Sequence, residues 1–191
     1  SEDTDFNTKN LLNGDLGRKT FTNIAGVDVS YVSTNVKSGE YEMHVLNEAS
    51  KGEIKTGTVT GGTSGSVSIN GVNVNINATD TNEEIYTKLR DAADKTGVEV
   101  TADDSYSEFT FTSARFGSKY GVEIKSEEAS MMASLGLSGT SQSSYGTDVE
   151  VTPVVSQSSD FTQNATAACD GNKVVITDNN GFKMRVDIGE N

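Results

Sequence analysis

A hairpin followed by a capped helix is the feature of this chain that most limits its fold. From Gly65 to Ala78, apolar and polar residues alternate on either side of Asn70-Gly71, a dipeptide that favours a two-residue turn between antiparallel strands. The apolar positions change parity across this turn, so both strands can face one core; they are Val67, Ile69, Val72, Val74 and Ile76. The segment therefore predicts a hairpin with one buried face.

A short amphipathic helix is predicted directly after the hairpin. Thr81 and Glu84 have the spacing of a capping box, in which each side chain accepts a hydrogen bond from the backbone amide of the other residue. One stripe of the following segment is apolar, and it consists of Ile85, Leu89, Ala92 and Ala93. Gly97 predicts the end of this helix.

Short runs rich in Val, Ile, Thr and Tyr, separated by Gly, Asn and Ser, predict strands along most of the remaining chain. We expect strands at 21–32, 39–46, 51–60, 98–102, 108–113, 120–124, 148–155, 162–169, 173–177 and 182–188, with a short helix at 127–135. Asp170-Gly171 and Asn180-Gly181 predict two more tight hairpins. The predicted fold class is mainly β with one or two short helices (α+β).

Residue faces can be predicted for two of these elements. In the strand at 39–46, Tyr41, Met43 and Val45 alternate with polar residues, so we expect one buried face and an outward face with Glu40, Glu42 and His44. In and after the second helix, four apolar residues have the spacing of core-filling side chains; they are Met131, Met132, Leu135 and Leu137.

Two Ser/Gly-rich stretches suggest that one domain is inserted into another. The first is Gly61–Ser66 and the second is Ser138–Tyr145. We expect a β-rich outer domain at 21–64 plus 146–181, carrying an inserted βαβ-type module at 65–138. Residues 1–20 and 182–191 are predicted to be connecting segments that lead to the rest of a longer protein.

The charge of the chain argues against two classes of partner. With 28 acidic and 15 basic residues, the net charge is −13 and no basic stripe is present to displace phosphate counterions. Binding to nucleic acid is therefore not expected, and neither is docking on an anionic membrane. The single cysteine, Cys169, cannot form an internal disulfide, so the fold must be stable through packing or assembly.

The residue types needed for catalysis or metal binding are scarce, and we expect neither an enzyme nor a cofactor or metal site. His44 is the only histidine and lies on a predicted polar strand face, where its neighbours Glu42 and Glu48 are typical of a solvated strand edge and not of a catalytic triad. Cys169 follows two alanines in a strand pattern and is predicted to be a buried small apolar residue. One histidine with one cysteine cannot form a typical zinc site.

Two other sets of residues are weaker candidates. Acidic residues could hold calcium as Asp103-Asp104 with Glu108, or as Asp178 with Asp170, but neither set has the spacing of a calcium loop. An aromatic patch could bind a ligand, and it would consist of Tyr106, Phe109, Phe111, Phe116 and Tyr120. Because Phe109 and Phe111 share a strand face, core packing is the simpler interpretation of that pair.

Three sequence segments resemble parts of bacterial flagellins. Phe6–Gly14 resembles the segment by which a flagellin leaves its first long helical region, and Met184–Asn191 resembles the segment by which the chain returns to the helical core. Between them, Ser68–Val72 followed by Ala78–Thr81 and the helix resembles the flagellin IN motif, named for its Ile-Asn pair. This motif also occurs in the filament cap protein, and Ser38–Val45 resembles a strand of that protein's outer region.

The resemblance implies that this chain is the outer, variable portion of a flagellin, without the helical core through which flagellins polymerise. The implied function is structural: an extracellular, antigenic module on the filament used for motility, with neighbouring flagellin subunits as partners through the missing core. The isolated chain is then expected to be a monomer. The alternative is the outer domain of a filament cap protein or an adhesin that binds host mucin or glycans.

Overall fold

The computed structural model describes the backbone of residues 7–12 and both backbone and side chains of residues 26–189. In chain order, the elements are β1 (Asn7–Leu12), β2 (Val27–Val32), β3 (Gly39–Asn47), β4 (Glu53–Lys55), β5 (Gly65–Ile69), β6 (Val72–Ile76), α1 (Asn82–Asp94), β7 (Val98–Ala102), β8 (Phe109–Ser113), β9 (Gly121–Lys125), α2 (Ala129–Ser134), β10 (Ser141–Tyr145), β11 (Glu150–Pro153), β12 (Thr166–Asp170), β13 (Lys173–Thr177) and β14 (Lys183–Ile188). The mainly β fold class with two short helices is confirmed.

The chain forms two compact units, and the second is inserted into the first. The discontinuous unit consists of Ser1–Ser50 with Thr147–Asn191, and the inserted unit is Lys51–Gly146. The chain leaves the discontinuous unit after Ser50 and re-enters it at Thr147, and these two residues are neighbours because they form an antiparallel bridge. Its two backbone hydrogen bonds measure 3.0 Å, from the amide of Ser50, and 3.2 Å, from the amide of Thr147.

The discontinuous unit has two antiparallel sheets with a shared core. Their strand orders are β1-β3-β11 and β12-β13-β14-β2. Buried residues of both sheets form one cluster, which includes Tyr41, Met43, Val45, Val151, Val174, Ile176, Met184 and Val186. The predicted alternation along β3 is confirmed, since Glu40, Glu42 and His44 are exposed or half-buried while the intervening residues are buried.

The inserted unit has two sheets and both helices. The sheet orders are β10-β9-β5-β6 and β4-β8-β7, and every pair of neighbouring strands is antiparallel. The predicted hairpin is confirmed: Ile69 pairs with Val72, and positive φ values at Asn70 (47°) and Gly71 (87°) define a tight turn of type I′. Helix α1 joins β6 to β7, which belong to different sheets, so the order β-α-β forms no parallel crossover.

Helix α1 begins and packs as predicted. Thr81 and Glu84 form both hydrogen bonds of the capping box, at 3.1 Å and 2.8 Å. The apolar stripe is buried in the core of the inserted unit, and it consists of Ile85, Leu89, Ala92 and Ala93. Such capping contributes about 1 kcal/mol, whereas burying a leucine contributes about 1.5–3 kcal/mol, so the stripe fixes the position of the helix.

Two polar side chains of α1 bind the edge strands beside it. The hydroxyl of Tyr86 donates to the carbonyl oxygen of Val100 in β7 at 3.0 Å. The ammonium of Lys88 donates to the carbonyl oxygen of Asn75 in β6 at 3.0 Å. Because β6 and β7 each end a sheet, these bonds satisfy edge carbonyls that could otherwise pair with another chain.

Helix α2 ends in a Schellman motif that also bonds to the segment following β4. The amide of Gly136 donates to Ala133, and the amide of Leu137 donates to Met132, both at 2.9 Å. The carbonyl oxygen of Gly136 then accepts the amide of Gly57 at 2.9 Å. The four apolar residues predicted to fill the core here are buried; they are Met131, Met132, Leu135 and Leu137.

The unit boundaries differ from those predicted at 64/65 and 138/146. Residues 51–60 belong to the inserted unit because Ile54 and Val59 lie in its core. Only Glu53–Lys55 is a strand there; beyond it the backbone bonds to β8 residue Phe109 and to the end of α2 instead of following one partner strand. The stretch predicted as a connection at Ser138–Tyr145 contains β10, which pairs with β9 along its whole length.

Other boundaries shift near the chain ends. The strand predicted at 182–188 is confirmed as β14, but it lies between β13 and β2, so segment 182–191 is part of a sheet and not only the predicted connection. The strand predicted at 21–32 is described from Val27 onward, and the earlier part lies outside the described residues. The predicted hairpin at Asp170-Gly171 is confirmed, with Asp170 paired to Lys173. At Asn180-Gly181 the connection is longer, because a 3₁₀ turn (Asn179–Gly181) separates β13 from β14.

Candidate functional site

A basin on the inserted unit brings aromatic and basic side chains together. It has a volume of about 380 Å³ and is formed by the β5–β6 turn, the end of α1, the segment between β8 and β9, and the end of β10. Its lining residues are Asn70, Thr96, Gly97, Ser113, Ala114, Arg115, Lys119, Tyr120, Gly121 and Tyr145. We call this site the tyrosine basin.

Tyr145 lies on the tyrosine basin because the residue opposite it has no side chain. Tyr145 pairs with Gly121 across β10 and β9, and a Cβ at position 121 would lie 2.6 Å from a carbon of the Tyr145 ring. The ring therefore rests against the glycine backbone, an arrangement that protects exposed glycine in sheets. Its hydroxyl donates to the carboxylate of Glu123, and this bond raises the pKa of Tyr145 and lowers that of Glu123. The Tyr145 side chain is still 49% exposed.

Arg115 and Tyr120 form the second aromatic element of the basin. The Arg115 guanidinium carbon lies 5.5 Å from the centre of the Tyr120 ring, and Nη1 donates to the Tyr120 hydroxyl at 3.2 Å. Nearby in the chain, Lys51 Nζ lies 4.9 Å from the centre of the Phe116 ring. These cation–π contacts position Arg115 and Lys51, two of the 15 basic residues of a chain whose net charge is −13.

Asn70 fixes one wall of the tyrosine basin through three hydrogen bonds to β9. Its backbone amide donates to Glu123 at 2.8 Å, and its side-chain nitrogen donates to Gly121 at 3.0 Å. Its side-chain oxygen accepts the amide of Glu123 at 2.6 Å. The Asn70-Gly71 turn, which the sequence predicts from the backbone preference of this dipeptide, therefore also links the β5–β6 hairpin to β9.

The predicted aromatic patch is divided between core and surface. Phe109 and Phe111 are buried, which confirms core packing for that pair. Tyr106 is half-buried against Tyr86, with ring centres 5.3 Å apart, while Phe116 and Tyr120 are half-buried. The exposed Tyr145 was missed because it ends a Ser-rich stretch that was predicted as a connection, and only its pairing with Gly121 shows its role.

His44 and Cys169 lie on separate strands of the discontinuous unit. His44 pairs with Asn7 and Thr152 in the middle of the β1-β3-β11 sheet and is half-buried. Cys169 lies on β12, packs partly against the core, and is less buried than predicted. Burial raises the pKa of the Cys169 thiol, which disfavours its reactive thiolate form.

The acidic residues considered for calcium have other roles. Asp103 organises the loop before β8: its carboxylate accepts from the side chains of Ser105 and Ser107 and from the amides of Ser107 and Glu108. These bonds, with that of the Ser107 hydroxyl the strongest, lower the pKa of Asp103. They also stabilise the loop in which Tyr106 has a positive φ of 56°.

The second acidic pair is separated by a hairpin. Asp170 lies at the turn that joins β12 to β13, whereas Asp178 follows Thr177 at the opposite end of the same two strands. Asp178 instead accepts hydrogen bonds from the amide and hydroxyl of Thr162. Within residues 26–189, no three His, Cys, Asp or Glu side chains are grouped so that they could hold a metal ion.

Comparison with known families identifies the central motif. Residues 58–115 match the family model described as the flagellin hook IN motif. The matched region contains β5, β6, α1, β7 and β8, that is, the hairpin, the capped helix and the two strands that follow it. No curated protein and no solved structure gives a significant match to the chain.

The match agrees with the IN motif that the sequence resembles at Ser68–Val72 and Ala78–Thr81. The matched region is less than half of the chain, and it shows a flagellin IN motif within the inserted unit. Within the described ranges, neither helix has the length and apolar content needed to span a membrane. The terminal segments at Phe6–Gly14 and Met184–Asn191 lie outside the matched region, so their resemblance stays a prediction.

Proposed function

We propose that this chain is a surface-exposed module of the flagellar filament, which contributes to the antigenic surface of a motility organelle and has no catalytic activity. The observation that carries the proposal is the match at residues 58–115, because it covers the folded centre of the inserted unit. Its partners are neighbouring flagellin subunits, through helical segments that flank this region in the whole protein. The isolated chain is then a soluble monomer that does not form filaments.

The charge of the chain suits this location. The net charge of −13 comes from acidic residues distributed over both units. Since charges in solution interact over about 8–10 Å at physiological ionic strength, closely spaced copies would repel each other over short distances. This repulsion would keep the outer surfaces of neighbouring subunits solvated and prevent them from adhering to each other.

The neighbouring positions of Ser50 and Thr147 allow a direct test of this function. Because Ser50 and Thr147 exchange both backbone hydrogen bonds, they have the geometry of residues that flank a two-residue hairpin turn. Residues 51–146 of the chromosomal protein can therefore be replaced by Asn-Gly. We expect filaments of normal length and swimming cells, with loss of binding by antibodies raised against residues 51–146.

A control deletion uses the boundaries that the sequence alone predicts. Replacing residues 65–138 by the same Asn-Gly removes β5 to α2 but leaves Ile54 and β10 without their core and partner strand. We expect this variant to be degraded or insoluble. Loss of filaments in the 51–146 replacement, although the variant protein is stable and secreted, would contradict a peripheral structural role for the inserted unit.

The tyrosine basin favours a second candidate function, that of an adhesin for host mucin or glycans. Exposed tyrosine rings stack on sugars, and Arg115 and Lys119 could bind acidic groups on them. Substitution Tyr145→Ala should then abolish binding to a glycan array. Tyr31→Ala is the matched control, since Tyr31 is 43% exposed and lies 5.1 Å from the Arg185 guanidinium in the discontinuous unit. No binding by the unaltered chain, or equal loss in both variants, would reject this candidate.

A further inference from the structure

The chain contains three Asn-Gly dipeptides, and the structure places two of them in very different surroundings. They are Asn13-Gly14, outside the described residues, Asn70-Gly71 in the β5–β6 turn, and Asn180-Gly181 between β13 and β14. Asn-Gly is the dipeptide most prone to spontaneous deamidation, because glycine lacks a Cβ that would hinder its backbone nitrogen. Both described sites also share a positive φ at the asparagine, 47° at Asn70 and 62° at Asn180.

The chemistry needs only water and a mobile side chain. The backbone nitrogen of the glycine loses its proton and attacks the asparagine Cγ, forming a C–N bond. The side-chain nitrogen leaves as ammonia, which takes up a proton, and a five-membered succinimide remains. Water then adds to either carbonyl of the ring, giving aspartate, or isoaspartate in which the main chain passes through the former side chain. Attack therefore requires that the asparagine side chain and the turn can rotate.

Asn70 cannot rotate freely. Both ends of its side chain are bonded to β9, to the Gly121 carbonyl at 3.0 Å and to the Glu123 amide at 2.6 Å. Its own amide is bonded to the Glu123 carbonyl at 2.8 Å. Moving its Cγ toward Gly71 would break these bonds, and the departing nitrogen is itself one of the donors. The turn also lies between strands β5 and β6, which pair along their full length.

Asn180 has much greater freedom. Its side chain is exposed and makes no hydrogen bond to any other described residue, in contrast to Asn179, whose side chain accepts from Asn164 at 2.8 Å. The Gly181 amide, which is the nucleophile, lies in the short 3₁₀ turn (Asn179–Gly181) between β13 and β14. The turn is closed by bonds of 3.2 Å and 3.3 Å between Phe182 and its preceding residues, Asn179 and Asp178. Rotation of the Asn180 side chain breaks none of these bonds, whereas rotation of the Asn70 side chain breaks its two bonds to β9.

We propose that Asn180 is a site of spontaneous deamidation in the folded protein and that Asn70 is protected. Conversion to aspartate would change the net charge from −13 to −14, since one neutral side chain becomes an anion. Conversion to isoaspartate would lengthen the main chain where the Asn180 carbonyl accepts a hydrogen bond from Asn35. The reaction would thus give an ageing filament a second, more acidic form of its surface near β13 and β14.

Peptide mapping can test the proposal within a single chain. The folded protein is incubated at mildly alkaline pH, digested at acidic pH, and analysed by mass spectrometry at successive times. We expect aspartate and isoaspartate to accumulate at position 180 several-fold faster than at position 70. The same incubation in concentrated urea is the control, and there both asparagines should react at similar rates because their dipeptides are identical.

Two results would overturn the proposal. One is conversion of Asn70 in the folded protein at the rate of Asn180 or faster. The other is a stable Asn180 in the folded protein under conditions in which the unfolded chain reacts at both positions. The variant Asn180→Gln assigns the signal. It should remove the aspartate and isoaspartate that form at position 180, together with the acidic species that they produce on charge-sensitive chromatography, and leave the extent of conversion at position 70 unchanged.

Discussion

Substitution of Gly136 by alanine tests the packing at the end of helix α2. Gly136 has a φ of +71°, and a Cβ at this position would lie 2.5–2.7 Å from three backbone atoms of Gly57. The left-handed conformation costs an L-residue about 1–2 kcal/mol. Forcing an extra methyl group into a packed site costs about 1–3 kcal/mol more. We therefore expect Gly136→Ala to reduce the free energy of unfolding of the inserted unit by about 2–5 kcal/mol.

Two other glycines separate the steric cost from the conformational cost. Gly97 follows helix α1 with a φ of +72°, and nothing lies within 4 Å of its hypothetical Cβ. Gly97→Ala should therefore cost only the conformational part, about 1–2 kcal/mol. Gly57→Ala is the converse control, because its Cβ would lie 3.4 Å from the Gly136 oxygen without a positive φ, and we expect a smaller loss.

The assay is urea unfolding monitored by circular dichroism at the helical minimum. Because both described helices lie in the inserted unit, this signal reports on that unit and not on the discontinuous one. Equal losses for Gly136→Ala and Gly97→Ala would refute the reasoning, since they would mean that the backbone of Gly57 does not restrict position 136.

Three further predictions concern α1 and the loop before β8. Thr81→Ala removes the capping hydrogen bond and should cost about 1 kcal/mol in urea unfolding, whereas an unchanged midpoint would contradict the role of the cap. Tyr86→Phe leaves the Val100 carbonyl without its donor and should cost about 0.5–1.5 kcal/mol, with greater aggregation on light scattering if the bond protects the edge. Hydrogen bonds, chiefly that from the Ser107 hydroxyl, lower the pKa of Asp103 below its ordinary value of 3.8. The Asp103 carboxylate therefore stabilises the fold fully above pH 3.8, and this stabilisation is lost as the pH falls through the lowered pKa. Melting temperatures of the unaltered chain should drop over that acidic range, and Asp103→Asn should show a smaller drop; parallel curves would contradict this assignment.

Local structure could be predicted where the residues that determine it lie close together in the sequence. The type I′ turn at Asn70-Gly71, the capping box at Thr81 and the buried stripe of α1 all depend on residues within a few positions of each other. The alternation along β3 is equally local, because each side chain faces opposite to its neighbour.

The unit boundaries and the tyrosine basin depend on contacts between distant segments. Ser138–Tyr145 has the composition of a connection, but its backbone pairs with β9 and places Tyr145 over Gly121. Ser-rich strands of this kind carry no apolar alternation, so their partners alone define them. Ile54 likewise joins the inserted core through pairing with Phe111, far along the chain, and moves the first boundary from 64/65 to 50/51.

Immunogold electron microscopy tests the central claim most directly. Antibodies raised against the folded chain are applied to intact cells of the bacterium that carries the gene. An outer flagellin region predicts gold particles along the whole length of each filament. Particles confined to the filament tip would indicate a cap protein, and particles on the cell body with bare filaments would contradict the flagellar assignment.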